Sequence, residues 1–248
     1  AAESRHLAYI VRRYPTGLEN TTLVPVAALA SPLADGRLFF EQLAERFYAG
    51  SLQHWLDDYL DLLLQVHLRL WLHYGIALEA NQQNAVLMFE QGQPLRLLMK
   101  DNDAARLWPQ RFTHACPDLT DLPTALQDER IRVDSSQPLA EMFCTITLQL
   151  NIVAILEAIA TAGLASRSGL YGTLRQRLMT CLQQLEAEGI DCDDARRWLL
   201  DSPKLPVKYL LSAGSLFSKA HSGASDINKF YGYSAANFLL EDAPCNGV

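Results

Sequence analysis

An α+β fold, mainly helical and carrying a small antiparallel sheet or hairpin, is what this sequence predicts. Two observations lead there. Apolar residues recur at helical spacing over residues 52–74, 138–163 and 168–188. Between the first two of these stretches, the apolar runs 85–89 (AVLMF) and 95–99 (LRLLM) flank Glu90-Gln91-Gly92-Gln93-Pro94, which has the chemistry of a turn.

Residues 8–12 read as a short strand and residues 14–22 as turns. The apolar run 23–29 is extended, and Pro25, which has no N–H, demotes it to an edge or irregular strand. Asp35-Gly36 marks a turn. Helices are expected over 38–49 and over 52–74, the second roughly 35 Å long. Ser51 is its N-cap and Gly75 its C-cap. After the hairpin, residues 102–136, with Pro109, Pro117 and Pro123, read as a long excursion with little regular structure. Helical spacing returns over 138–163, 168–188, 193–201 and 205–219, and the tail after Gly232 reads as irregular. Residues 1–37 thus supply short strands and a linker, and residues 38–248 a helical domain containing the 85–99 hairpin.

Composition narrows the function. Of 248 residues, 49% are hydrophobic and 20% charged, and the net charge is −7. The basic residues are scattered rather than blocked, which disfavours nucleic acid as a partner. The greasy stretches 59–74 and 146–163 are broken by Asp61, Gln65, His67, Arg69, Asn151 and Glu157, so they read as core helices and no membrane partner is expected. Five cysteines without a C-x-x-C motif argue for reduced thiols in a cytoplasmic protein, not for a disulfide framework or a cysteine-held cluster.

The chemistry concentrates in Tyr74-Gly75-Ile76-Ala77-Leu78-Glu79-Ala80-Asn81-Gln82-Gln83-Asn84, which joins the long helix to the hairpin. Polar side chains crowded between apolar elements need partners. Asp101 follows the second hairpin strand. An antiparallel hairpin brings the start of one strand to the end of the other, so Glu79, Asn84 and Asp101 are expected at one end of the sheet. Two carboxylates beside amide oxygens suit Mg²⁺, a hard cation that takes one or two carboxylates plus substrate phosphates. The same residues could instead form a turn and capping network around Gly75 with a solvated Asp101.

The pattern Y-G-I-A-L-E-A-x-x-Q-N, followed by an apolar strand, a glycine turn and Lys100-Asp101, resembles the signature of the aerobactin synthetase (IucA/IucC) family. These synthetases make siderophores without a nonribosomal peptide synthetase. Residues 24–36, the Trp55-Leu56 and Tyr59-Leu60 pairs, and residues 208–211 (KYLL) resemble further family stretches in the right order. The resemblance implies a carboxyl-terminal, palm-like helical domain. It implies an ATP- and Mg²⁺-dependent ligase that adenylates a carboxylate, citrate or a derivative, and condenses it with an amine or hydroxyl. By motif position, Glu79 and Asp101 would hold Mg²⁺. Asn84 would contact the nucleotide or its phosphates, and Gln83 would shape the same pocket. Asn81 stands where the family has a catalytic His, and Lys208 would meet the substrate carboxylate. Family members often pair, which leaves a homodimer open. They are also about twice this length, with an amino-terminal H-P-x-H-P motif that these residues lack.

Other readings stay beside this one. The domain could bind a siderophore or its carboxylate precursor without chemistry. It could also be related to ferric-siderophore reductases, which the lack of a clustered cysteine motif disfavours. Lys208 could be a snorkelling surface lysine. Arg12 and Arg13 read as a solvated strand end. His67 and His73, six apart, miss the i, i+4 spacing of a helical metal pair and are expected to be partly buried and hydrogen-bonded. Residues 212–226, with Lys219 and His221, fail the P-loop spacing and read as a helix end and loop.

Overall fold

The computed structural model describes residues 11, 13, 15–102, 104–126, 128–216 and 230–240. The expected strand over 8–12 lies outside them apart from Val11. So do Arg12, Cys245 and the 217–226 part of the Ser- and Gly-rich stretch, with Lys219 and His221. Arg13 is described and exposed.

Helices α1 (Phe39–Phe47) and α2 (Leu52–Leu72) fall where helical spacing placed them. The Ser51 hydroxyl accepts from the His54 N–H at 3.2 Å, which caps α2. Trp55, Leu56, Tyr59, Leu60, Leu63, Leu64, Leu68 and Trp71 form its buried stripe. Helix α7 (Arg167–Ala187) lies along α2 in the same direction. Arg177 pairs with Asp57 and Asp61 (2.7 and 2.9 Å), and Arg69 further along α2 pairs with Glu188 beyond the end of α7. Gly75, just past α2, takes φ +66°. A Cβ there would stand 2.9 Å from Arg111 Cβ and 3.0 Å from the Trp108 carbonyl, so the close approach of these segments requires glycine.

Three pairs of strands hold the rest. Strands β1 (Thr22–Pro25), β3 (Ala85–Phe89) and β4 (Arg96–Met99) form an antiparallel sheet in the order β1-β3-β4. The expected hairpin pairs Ala85 with Met99 and Met88 with Arg96. The β1 strand is an edge that ends at Pro25. It is shorter than the run 23–29, because Val26–Ala28 turn into a 3₁₀ helix. Strand β2 (Ile76–Ala77) pairs with β5 (Arg106–Leu107), and β6 (Lys204–Lys208) with β7 (Tyr231–Ala236).

Several expectations need correction. Residues 102–136 are not structureless. They hold β5, α3 (Pro109–Ala115), α4 (Leu122–Ala125) and two 3₁₀ turns. Pro109, Pro117 and Pro123 open three of these helical pieces, where a fixed φ and a missing N–H are assets. The helix expected over 205–219 begins instead as β6. Leu205 and Val207 alternate with Pro206, and the ladder shifts register between Leu205 and Val207, which accommodates a residue that cannot donate. Residues 212–216 are helical. The tail after Gly232 supplies β7, whose Tyr231 and Tyr233 follow the period of a strand.

Residues Gln137–Thr161 form one continuous helix: α5 (Gln137–Met142), a π-helical segment (Phe143–Val153) and α6 (Ala154–Thr161). It is long and apolar enough to cross a membrane, yet 67% of its most apolar window is buried inside the fold. The last helical stretch is α8 (Asp193–Ala195), running into a π-helical segment over Arg196–Asp201.

His67 departs from expectation. It is fully buried on α2, and its Nε2 has no hydrogen-bond partner. Burial pushes its pKa down to about 4 from an ordinary 6.5. The folded protein keeps His67 neutral while the unfolded chain takes up a proton below 6.5, so stability falls as pH drops from 6.5 towards 4. The loss from this group is about 2 kcal/mol at pH 5. Denaturant titrations of wild type and His67→Leu at pH 7.5 and pH 5 should show a smaller pH-dependent loss in the variant by that amount. Equal losses would show that His67 is not buried as a neutral group.

Candidate nucleotide and metal site

Residues 78–84 leave strand β2 and re-enter the sheet at β3, so each end of this loop is fixed by a strand. Asn81 shapes its second half. Its side-chain oxygen accepts from the N–H groups of Gln83 and Asn84, both at 3.0 Å. Its backbone oxygen accepts from Asn84 and Ala85. This is an Asx turn, a conformation that Asn adopts readily. The Gln82 carbonyl accepts from the Ala27 N–H, which ties the turn to the end of β1.

Asn84 is buried at 5% exposure. Its side-chain amide nitrogen donates to the backbone carbonyls of Glu79 (3.0 Å) and Asp101 (3.4 Å), and its backbone carbonyl accepts from the Lys100 N–H. A backbone carbonyl can only accept, so the amide nitrogen faces both carbonyls and Oδ1 lies on the opposite side of the amide. The structure therefore brings Glu79, Asn84 and Asp101 together at one end of the hairpin, with Asn81 and Gln83 in the same turn.

The carboxylates differ in setting. Glu79 is half-buried, and its side chain makes no hydrogen bond or ion pair with a described residue. Asp101 takes φ +54°, unusual for a residue with a side chain, and its carboxylate lies 3.3 Å from Lys100 Nζ. Among the described residues, no group of three or more His, Cys, Asp or Glu side chains could hold a metal ion.

Lys208 is placed elsewhere. It ends β6, opposite Tyr231 of β7. Its strand is tied to the long helix by Gln149, whose side-chain nitrogen donates to the Pro206 carbonyl at 3.0 Å. His73 is half-buried with its ring edge against Tyr74. The described cysteines are free, and burial raises the thiols of Cys144, Cys181 (to about 12) and Cys192 (to about 11).

Two side chains that support this loop escaped sequence reading. Asn151, fully buried in the π-helical segment, donates to the Ala80 carbonyl at 2.8 Å. The Tyr59 hydroxyl donates in turn to Asn151 Oδ1 at 2.7 Å. The available signal was a lone Asn in the apolar run 146–163, since a buried amide demands partners.

A family model described as ferric iron reductase FhuF-like transporter matches residues 53–221, and the chain belongs to that family. The chain is also similar to siderophore synthetases. Staphyloferrin B synthase of Staphylococcus aureus is 24% identical over 216 residues, 83% of this chain and 36% of that protein. The rhizobactin siderophore biosynthesis protein RhbC of Rhizobium meliloti is 28% identical over 62% of this chain and 25% of its own length. The chain thus spans about a third or less of these curated relatives. The fold matches the petrobactin biosynthesis protein AsbB of Bacillus anthracis, with a TM-score of 0.67, 17% identity, and 89% of this chain and 36% of that one covered. ATP-bound aerobactin synthetase IucA from Klebsiella pneumoniae matches with a TM-score of 0.63, 19% identity, and 88% and 36% covered.

Replacing Asn81 by Ala removes the two side-chain bonds of the turn and should cost about 1–2 kcal/mol in a denaturant titration. Asn81→Asp keeps the acceptor and should stay within about 0.5 kcal/mol of wild type. Equal losses in the two variants would contradict the capping role.

Proposed function

We propose that this chain is the carboxyl-terminal, nucleotide-binding part of a cytoplasmic siderophore ligase. It would use ATP to activate a carboxylate, citrate or a derivative, and pass the acyl group to an amine or hydroxyl. The observation that carries the reading is the convergence of one amide, Asn84, on Glu79 and Asp101, at the positions of the family signature. The two carboxylates suit Mg²⁺, which would neutralise charge on the phosphates when bound. Asn84 has spent its nitrogen on backbone carbonyls, so its Oδ1 would accept from a ribose hydroxyl or adenine amine, or ligate the cation, rather than donate to phosphate. Lys100, paired with Asp101, adds positive charge beside the same residues. Asn81 would act by holding the turn, since its oxygen is already engaged. Lys208, on the strand that Gln149 ties to the long helix, would meet the carboxylate substrate. The names of the relatives support a ligase over the reductase in the family's description. Among the described cysteines, Cys144, Cys181 and Cys192 are buried with raised thiol pKa values, which supports the same choice.

Calorimetric titration of Mg²⁺-ATP into the natural full-length protein tests this. Binding should require Mg²⁺ and fall at least tenfold in both Glu79→Ala and Asp101→Ala. Mg²⁺-dependent binding that survives both substitutions would place the nucleotide elsewhere.

A further inference from the structure

We infer that Asn151, oriented by Tyr59, is a positioning residue for the Glu79–Asn84 loop, acting through the Ala80 carbonyl. The inference rests on the nucleotide reading of that loop and adds two residues from helices outside it. Ala80 is fully buried between Glu79 and Asn81, so its carbonyl cannot turn to water and needs a donor from the protein. Asn151 supplies it at 2.8 Å, across 71 residues of sequence.

The orientation of that amide is determined, not free. The Ala80 carbonyl only accepts, so the nitrogen of Asn151 must face it and the oxygen must face Tyr59. Tyr59 is wholly buried, and burial raises its phenol well above the ordinary value, so the hydroxyl keeps its proton and donates. A flipped amide would set oxygen against the Ala80 carbonyl and nitrogen against the phenol, losing the first bond. Tyr59 therefore selects the rotamer that holds the loop.

The backbone around Asn151 suits this use. The π-helical segment Phe143–Val153 has a wider turn than an α-helix, a rare form that is frequent at functional sites. Within it, Gln149 reaches the β6 strand that carries Lys208, while Asn151 reaches the loop that carries Glu79. One segment thus sets the relative placement of both groups of candidate residues.

The test uses two variants of the natural full-length protein. Tyr59→Phe removes only the hydroxyl and keeps the ring in the core, so it should fold. Asn151→Leu removes both bonds. Each is followed by hydrogen exchange at the amides of Gln83, Asn84 and Ala85, and by affinity for Mg²⁺-ATP. Exchange at these three amides should rise while that of the α2 core stays near wild type, and affinity should fall about tenfold. Wild-type exchange and affinity in Tyr59→Phe would overturn the positioning role, as would exchange that rises equally throughout α2. If wild type binds no Mg²⁺-ATP, the nucleotide reading fails, and exchange at residues 83–85 alone decides whether Asn151 positions the loop.

Discussion

A buried carbonyl has to be given a donor, and at residues 79, 80 and 101 the chain meets that demand with side-chain amides. Asn84 serves the carbonyls of Glu79 and Asp101, and Asn151 serves that of Ala80. An orphaned buried polar group costs on the order of 1–3 kcal/mol. The loop therefore cannot move without losing several such bonds together. That constraint turns a polar stretch between a helix and a hairpin into a shaped surface. Among the described residues, none pairs with the Glu79 side chain.

The surrounding fold is the support for this loop. Gly75 lets the chain turn off α2 directly against Trp108 and Arg111, and β2 then pairs with β5, so the entry to the loop is held on two sides. The exit is the central strand β3, buried along its whole length and paired on both edges. Helix α2 carries Tyr59 and the long helix carries Asn151. The packing of those two helices is therefore tied to the geometry of the loop. Functional loops are often positioned by a rigid scaffold, and here the scaffold reaches this loop through the Asn151 amide and the Ala27 N–H.

Much of this was legible in the sequence because the signals were local. Ser51 before a helical apolar stripe, a glycine turn between two apolar runs and Pro25 on an edge strand each act within a few residues. That the chain at residue 79 and at residue 101 meets Asn84 followed from hairpin geometry. What escaped depends on distant partners. Strand β6 was read as helix because Leu205-Pro206-Val207 becomes a strand only when β7 arrives from residues 231–236. Residues 102–136 were read as irregular because their prolines were counted as breakers, when they start short helices. Asn151 was seen as an interruption in a greasy helix, and its partners, Tyr59 and Ala80, lie 92 and 71 residues away. His67 was expected to find a hydrogen bond and instead accepts burial as a neutral base.

The central claim is that Glu79 and Asp101 form the metal end of a nucleotide site whose shape Asn84 and Asn151 hold. The most direct measurement is an experimental structure of the natural full-length protein with Mg²⁺ and a non-hydrolysable ATP analogue. The account predicts a Mg²⁺ with oxygens of both carboxylates at about 2.1 Å, its remaining positions filled by phosphate and water. It also predicts that the Asn84 nitrogen still donates to the carbonyls of residues 79 and 101. A nucleotide bound with its metal away from both carboxylates, or a loop rebuilt so that Asn84 turns outward, would contradict it.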